Sequence, residues 1–129
     1  MDAVLPISVL TTSLLSIDCI WLWLRYEYHM KIFETIQKSK MKVRYLPAFL
    51  LYIVLASALY MWAVKDSKSL KQTMIQAAIV GFCMYAFYDL TNYATLNGWT
   101  MEFALIDISW GITLCTLASV IGYYFLKRK

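Results

Sequence analysis

Long apolar stretches alternate with short polar ones along this chain. Four stretches reach the roughly 20 mostly apolar residues that a membrane-crossing helix needs. They cover about 5–24, 45–64, 73–96 and 101–126. In hydrocarbon every backbone N–H and C=O must be satisfied within its own segment, so each stretch is expected to be helical. The link from Arg25 to Arg44 is charged but also has helical order. Glu27 and Lys31 are four apart, as are Glu34 and Lys38, in the favourable acid-first orientation. Tyr26, Met30 and Phe33 share another face. This pattern predicts an amphipathic helix lying at the membrane interface, with a solvated loop helix as the plainer alternative. The link from Lys65 to Lys71 is short and polar, and Asn97-Gly98 marks a tight turn. Trp99, just past that turn, suits the headgroup belt. The expected fold class is therefore all-α: a four-helix transmembrane bundle, in a single integral membrane domain over 1–129, with an amphipathic interfacial helix between helices 1 and 2.

Composition supports a lipid solvent. The chain is 61% hydrophobic and 16% charged, whereas a soluble domain is close to half apolar and about a quarter charged. The N-terminus has no basic n-region, and the first apolar run contains Asp18 and ends in Trp21 and Trp23. A retained first helix is expected, not a cleaved signal peptide, and with it an integral, multi-pass location.

The net charge of +4 comes from basic residues in flanks and links. They read as topology signals and as contacts to membrane lipids, including anionic headgroups. No basic patch interleaved with aromatics points to nucleic acid. Arg25, Lys31, Lys38, Lys40, Lys42 and Arg44 in the first link face Lys65, Lys68, Lys71, Lys127, Arg128 and Lys129 on the other side, six against six. The positive-inside rule is tied. The usual dominance of the first helix leans towards a cytoplasmic first link with both termini outside. A tie also permits dual insertion as an antiparallel homodimer. Cys19, Cys83 and Cys115 are far apart, in apolar runs and without a CxxC spacing, so neither a disulfide framework nor a zinc site is expected. Haem and nucleotide motifs are absent from the sequence as well.

The candidate chemistry lies in three acids inside spans. A charged group at mid-helix costs about 2.5–3.5 kcal/mol to insert, so it normally faces the bundle interior and has a role. Asp89 is nine residues before Gly98 and Asp107 nine after it. Helices 3 and 4 form a hairpin about that glycine, so both carboxyls sit roughly 13 Å from the turn at 1.5 Å per residue. Asp18 is seven residues before Arg25, at the end of a helix parallel to helix 3. All three acids are then expected in one leaflet.

Their neighbours repeat. Ile17-Asp18-Cys19-Ile20-Trp21 parallels Ile106-Asp107-Ile108-Ser109-Trp110, each reading Ile-Asp-x-x-Trp. Asp and Trp at i, i+3 share a face, and the Trp21 or Trp110 indole N–H is placed to donate to its own helix's carboxylate or to a neighbour's. On helix 3, Asp89 shares a face with Asn92, with Tyr88 beside it, and Thr91 and Thr95 share the adjacent face.

No Lys or Arg lies deep in a span. The acids are left to hold a proton, to pass a proton or cation, or to bind a hard divalent cation through Asp18, Asp89 and Asp107. The plain alternative is interhelical hydrogen bonding, worth about 0.6 kcal/mol each. His29, the only histidine, falls in the interfacial link and is expected to be solvated. Tyr45, Tyr52, Tyr60, Tyr123 and Tyr124 read as belt or core residues.

Tyr88-Asp89-Leu90-Thr91-Asn92, then Ala94-Thr95-Leu96 and Trp99, followed by Asp107-Ile108-Ser109-Trp110-Gly111, resemble the predicted membrane proteins grouped as domain-of-unknown-function family 2177. Asp18 with Trp21 is similar to that family's first-helix Asp-x-x-Trp. The resemblance spans essentially the whole chain and implies a four-helix membrane fold, without implying a reaction.

The leading functional expectation is a small transporter or channel subunit for protons, cations or a small cationic solute. A narrow four-helix chain would do this as a homo-oligomer or within a larger assembly. A lipid-active membrane enzyme with a carboxylate or metal site is one alternative. A structural accessory subunit of a membrane complex is another.

Overall fold

The computed structural model describes residues 2–127, and these fold into five helices. Helix α1 spans Val4–Leu24 and α2 spans Tyr26–Gln37. Helix α3 spans Tyr45–Leu59 and runs directly into a π turn, Tyr60–Val64. Helices α4 and α5 span Leu70–Thr95 and Met101–Lys127. Four helical segments are long and apolar enough to cross a membrane: α1, α3 with its π turn, α4 and α5. The chain is thus an all-helical, multi-pass membrane protein, with α2 as the short helix between the first and second spans.

Local chemistry sets the element ends. Ser69 caps α4, its hydroxyl accepting from the Gln72 N–H at 3.1 Å, which moves the start of this helix ahead of the expected Thr73. Gly98 closes the α4–α5 hairpin at φ 96°, a left-handed conformation that costs glycine little. Lys38 takes the same region at φ 57° and ends α2. There the Glu34 carboxylate accepts the Met41 N–H at 3.0 Å, a backbone partner in place of the Lys38 pairing that the i, i+4 spacing suggested.

The α4–α5 hairpin is the most tightly packed part of the bundle. A Cβ on Gly81 would lie 2.6 Å from the Gly111 carbonyl oxygen, and one on Gly111 would lie 2.1 Å from the Tyr85 ring. Only hydrogen at these positions lets the two backbones approach so closely. Helix α1 packs against α5 and α3, and the π turn carries most of the second span's contact with α4. In that turn the Lys65 N–H reaches the Tyr60 carbonyl at 2.8 Å. The wider turn carries Tyr60, Ala63 and Val64 into the core beside Leu10, Leu14, Leu59, Ala77, Leu114 and Cys115.

A second, smaller apolar cluster lies at the hairpin turn, where Trp99, Phe103 and Ala104 meet Tyr28, Ile32, Phe33 and Ile36 of α2. The inward face of α2 is therefore the 28–32–36 stripe, not Tyr26, which is exposed. Rather than lying on lipid alone, α2 is seated on the hairpin like a cover. The free cysteines divide as Cys19 and Cys83 exposed and Cys115 buried.

Candidate functional site

The three aspartates fall into two different environments. Asp18 is buried and fully partnered. The Tyr52 hydroxyl donates to its Oδ2, and the Trp110 indole N–H donates to its Oδ1 at 2.8 Å. Trp110 also stacks on Trp21, with ring centroids 4.4 Å apart and planes 7° from parallel. The two Ile-Asp-x-x-Trp strings interlock in this way, the indole of the second serving the acid of the first. The arrangement is not reciprocal, because the Trp21 N–H has no partner. One turn towards the surface, the Arg25 guanidinium lies 5.3 Å from the Trp21 ring centroid and 4.3 Å from that of Tyr28. Asp18 thus joins α1 to α3 and α5.

Asp89 is the opposite case. It is 0% exposed, and neither carboxyl oxygen has a hydrogen-bond partner. Its neighbour across the hairpin is the half-buried Asp107, close enough for direct carboxyl–carboxyl interaction. The Trp99 side chain approaches Asp89 from the turn. Its N–H is itself buried and completes no hydrogen bond of good distance and angle. A buried donor and two buried acceptors are left facing one another unsatisfied, where such groups are nearly always paired. Two adjacent carboxyls away from water cannot both carry charge at low cost, so the chemistry natural to this pair is to share one proton.

Tyr88 is half-exposed and meets Trp99 edge-on at 5.7 Å, with Asn92 beside its hydroxyl. Tyr85 lies within electrostatic range of both Asp18 and Asp107, between the two environments. Thr91 and Thr95 do not join the group. Both are exposed, and their hydroxyls donate back to the carbonyls of Phe87 at 2.6 Å and Thr91 at 2.8 Å. Among the described residues no three His, Cys, Asp or Glu side chains stand together in a way that could hold a metal ion. Asp18 is engaged instead by Tyr52 and Trp110, while staying within electrostatic range of Asp107.

His29 departs most from expectation. Instead of pointing to solvent it is half-buried, with its ring 5.2 Å from that of Phe103 and nearly perpendicular at 79°. Asp107 lies within its electrostatic range. The signal for this was present in the link as a second stripe, His29 and Phe33 running beside Tyr28, Ile32 and Ile36. Nothing in the sequence marked Tyr52 as the partner of Asp18.

No curated protein and no solved structure matches the chain. A family model described as a predicted membrane protein, domain of unknown function 2177, matches residues 3–124. Four membrane-length helices, the acid-bearing hairpin and this match over nearly the whole length agree, and the chain belongs to that family of membrane proteins.

Proposed function

We propose that the protein moves protons or small cations across its membrane, with Asp89 and Asp107 as the exchange site. One observation carries this reading. Asp89 is completely enclosed with both carboxyl oxygens unpartnered, beside a second carboxyl and an unpartnered indole N–H. A structural acid would be satisfied as Asp18 is. An acid that binds and releases a particle must have acceptor capacity to spare. Asp18, Tyr52 and Trp110 hold the bundle around the site, Trp21 supports Trp110 by stacking, and Tyr88 and Asn92 border it. Flux through so narrow a bundle calls for two or more copies, or for movement of α2. Particle mass in native lipid discs checks the first.

The decisive experiment uses purified protein in liposomes under an imposed pH or cation gradient, with an internal fluorescent reporter. Asp89→Asn and Asp107→Asn should each abolish flux while the protein stays folded. Infrared spectra should contain a protonated-carboxyl carbonyl band that disappears in either variant. Wild-type flux in both folded variants would overturn the reading.

A further inference from the structure

Helix α2 covers the turn end of the hairpin that carries Asp107. The aromatic cluster around Trp99 and Phe103 fills the space between that helix and the hairpin. Phe103 and Asp107 are four residues apart on α5, on one face, with Asp107 about 6 Å deeper at 1.5 Å per residue. Three rings of α2 meet Phe103, those of Tyr28, His29 and Phe33, and of these the imidazole of His29 lies nearest, with centroids 5.2 Å apart. His29 is the only histidine in the chain, and Asp107 lies within its electrostatic range.

Its geometry is that of a base held ready. The ring Nδ1 lies 2.9 Å from the Arg25 carbonyl oxygen. A carbonyl oxygen only accepts, so Nδ1 carries the hydrogen and the neutral ring keeps its free electron pair on Nε2. That contact links the orientation of the imidazole to the backbone at the α1–α2 junction, where Arg25 is anchored by Trp21 and Tyr28. The charged and titratable groups around this path are few: Arg25 and Tyr28 on the cover, Asp18 on α1, Tyr85, Tyr88 and Asp89 on α4, and Asp107 on α5.

We propose that His29 is the proton relay between the aqueous surface and the Asp89–Asp107 pair, which makes the proton the transported species. This rests on the exchange-site reading above and extends it. Nε2 takes a proton from hydronium at the surface, leaving water, and the ring becomes an imidazolium. The Nε2–H bond then breaks, and bridging water carries the proton to a carboxylate oxygen of Asp107. The ring returns to neutral, and the pair holds the proton until it leaves on the other side.

The test is proton flux in liposomes for His29→Gln and His29→Ala, with Asp107→Asn in parallel. Both His29 variants should slow flux by about a hundredfold, the lower end of what a positioned proton-transfer side chain contributes. The protonated-carboxyl band should persist in them, because the pair itself is intact. Free imidazole in the buffer should restore flux in His29→Ala and not in Asp107→Asn. A side chain that only packed on Phe103 would not be replaced by a soluble base. Unchanged flux in both His29 variants, or slowed flux that imidazole fails to restore, would overturn the relay while loss of flux in Asp107→Asn left the exchange site standing. Unchanged flux in Asp107→Asn as well would overturn both.

Discussion

At Asp18 both carboxylate oxygens are engaged, by the Tyr52 hydroxyl and the Trp110 indole, and at Asp89 neither is. The two acids should therefore respond oppositely to substitution. Tyr52→Phe strands one oxygen of a buried carboxylate. It should cost more than the ~0.6 kcal/mol average of an interhelical hydrogen bond in membranes and approach the ~1–3 kcal/mol of an orphaned buried group. Unfolding in mixed micelles measures this, and a double-mutant cycle with Asp18→Asn should show strong coupling. Asp89→Asn removes a buried carboxyl whose oxygens make no hydrogen bond of good geometry, and its amide can still donate to Asp107. Its stability in the same assay should equal or exceed that of the wild type, even as flux is lost.

Two elements carry the architecture by different means. The α4–α5 hairpin depends on absent side chains. Gly111→Ala would drive a Cβ to 2.1 Å from the Tyr85 ring. Overpacking of this kind typically costs ~1–3 kcal/mol, and adding Tyr85→Leu should recover part of it by removing the obstructing ring. Helix α2 depends on present ones. It touches the hairpin through Tyr28, Ile32, Phe33 and Ile36, clustered on Trp99, Phe103 and Ala104. Phe103→Ala should release it. Amide exchange would then quicken across Tyr26–Gln37, with little change in the apposed Gly81 and Gly111 region of α4 and α5.

Across the whole molecule, an even number of spans puts both chain ends on one side of the membrane. Helix α2, the hairpin turn and the acid pair then belong to the opposite side. A reporter tag at each terminus should be labelled from the same side, and a cysteine placed at the exposed Lys31 from the other. Because the basic residues tie six against six, mutating any two lysines of the first link should redistribute the orientation.

The amino-acid sequence by itself determined the spans, the turn at Gly98 and the presence of α2. These follow from local rules, namely the thickness of hydrocarbon to be crossed, the satisfaction of backbone groups within a helix and the freedom of glycine. It also placed three acids in spans and matched Asp89 with Asp107 by counting residues from the turn. Which donor serves which acid was decided only by tertiary structure. Trp110 shares a helical face with Asp107 yet bonds Asp18, 92 residues away in the chain. That choice depends on how each helix is rotated about its own axis when packed, which is set jointly by Gly81, Gly111, the π turn and Tyr52. The same rotation turned Thr91 and Thr95 outwards and brought His29 inwards. A list of polar residues by depth thereby became one satisfied acid that holds helices together and one buried, unpartnered acid beside the half-buried Asp107.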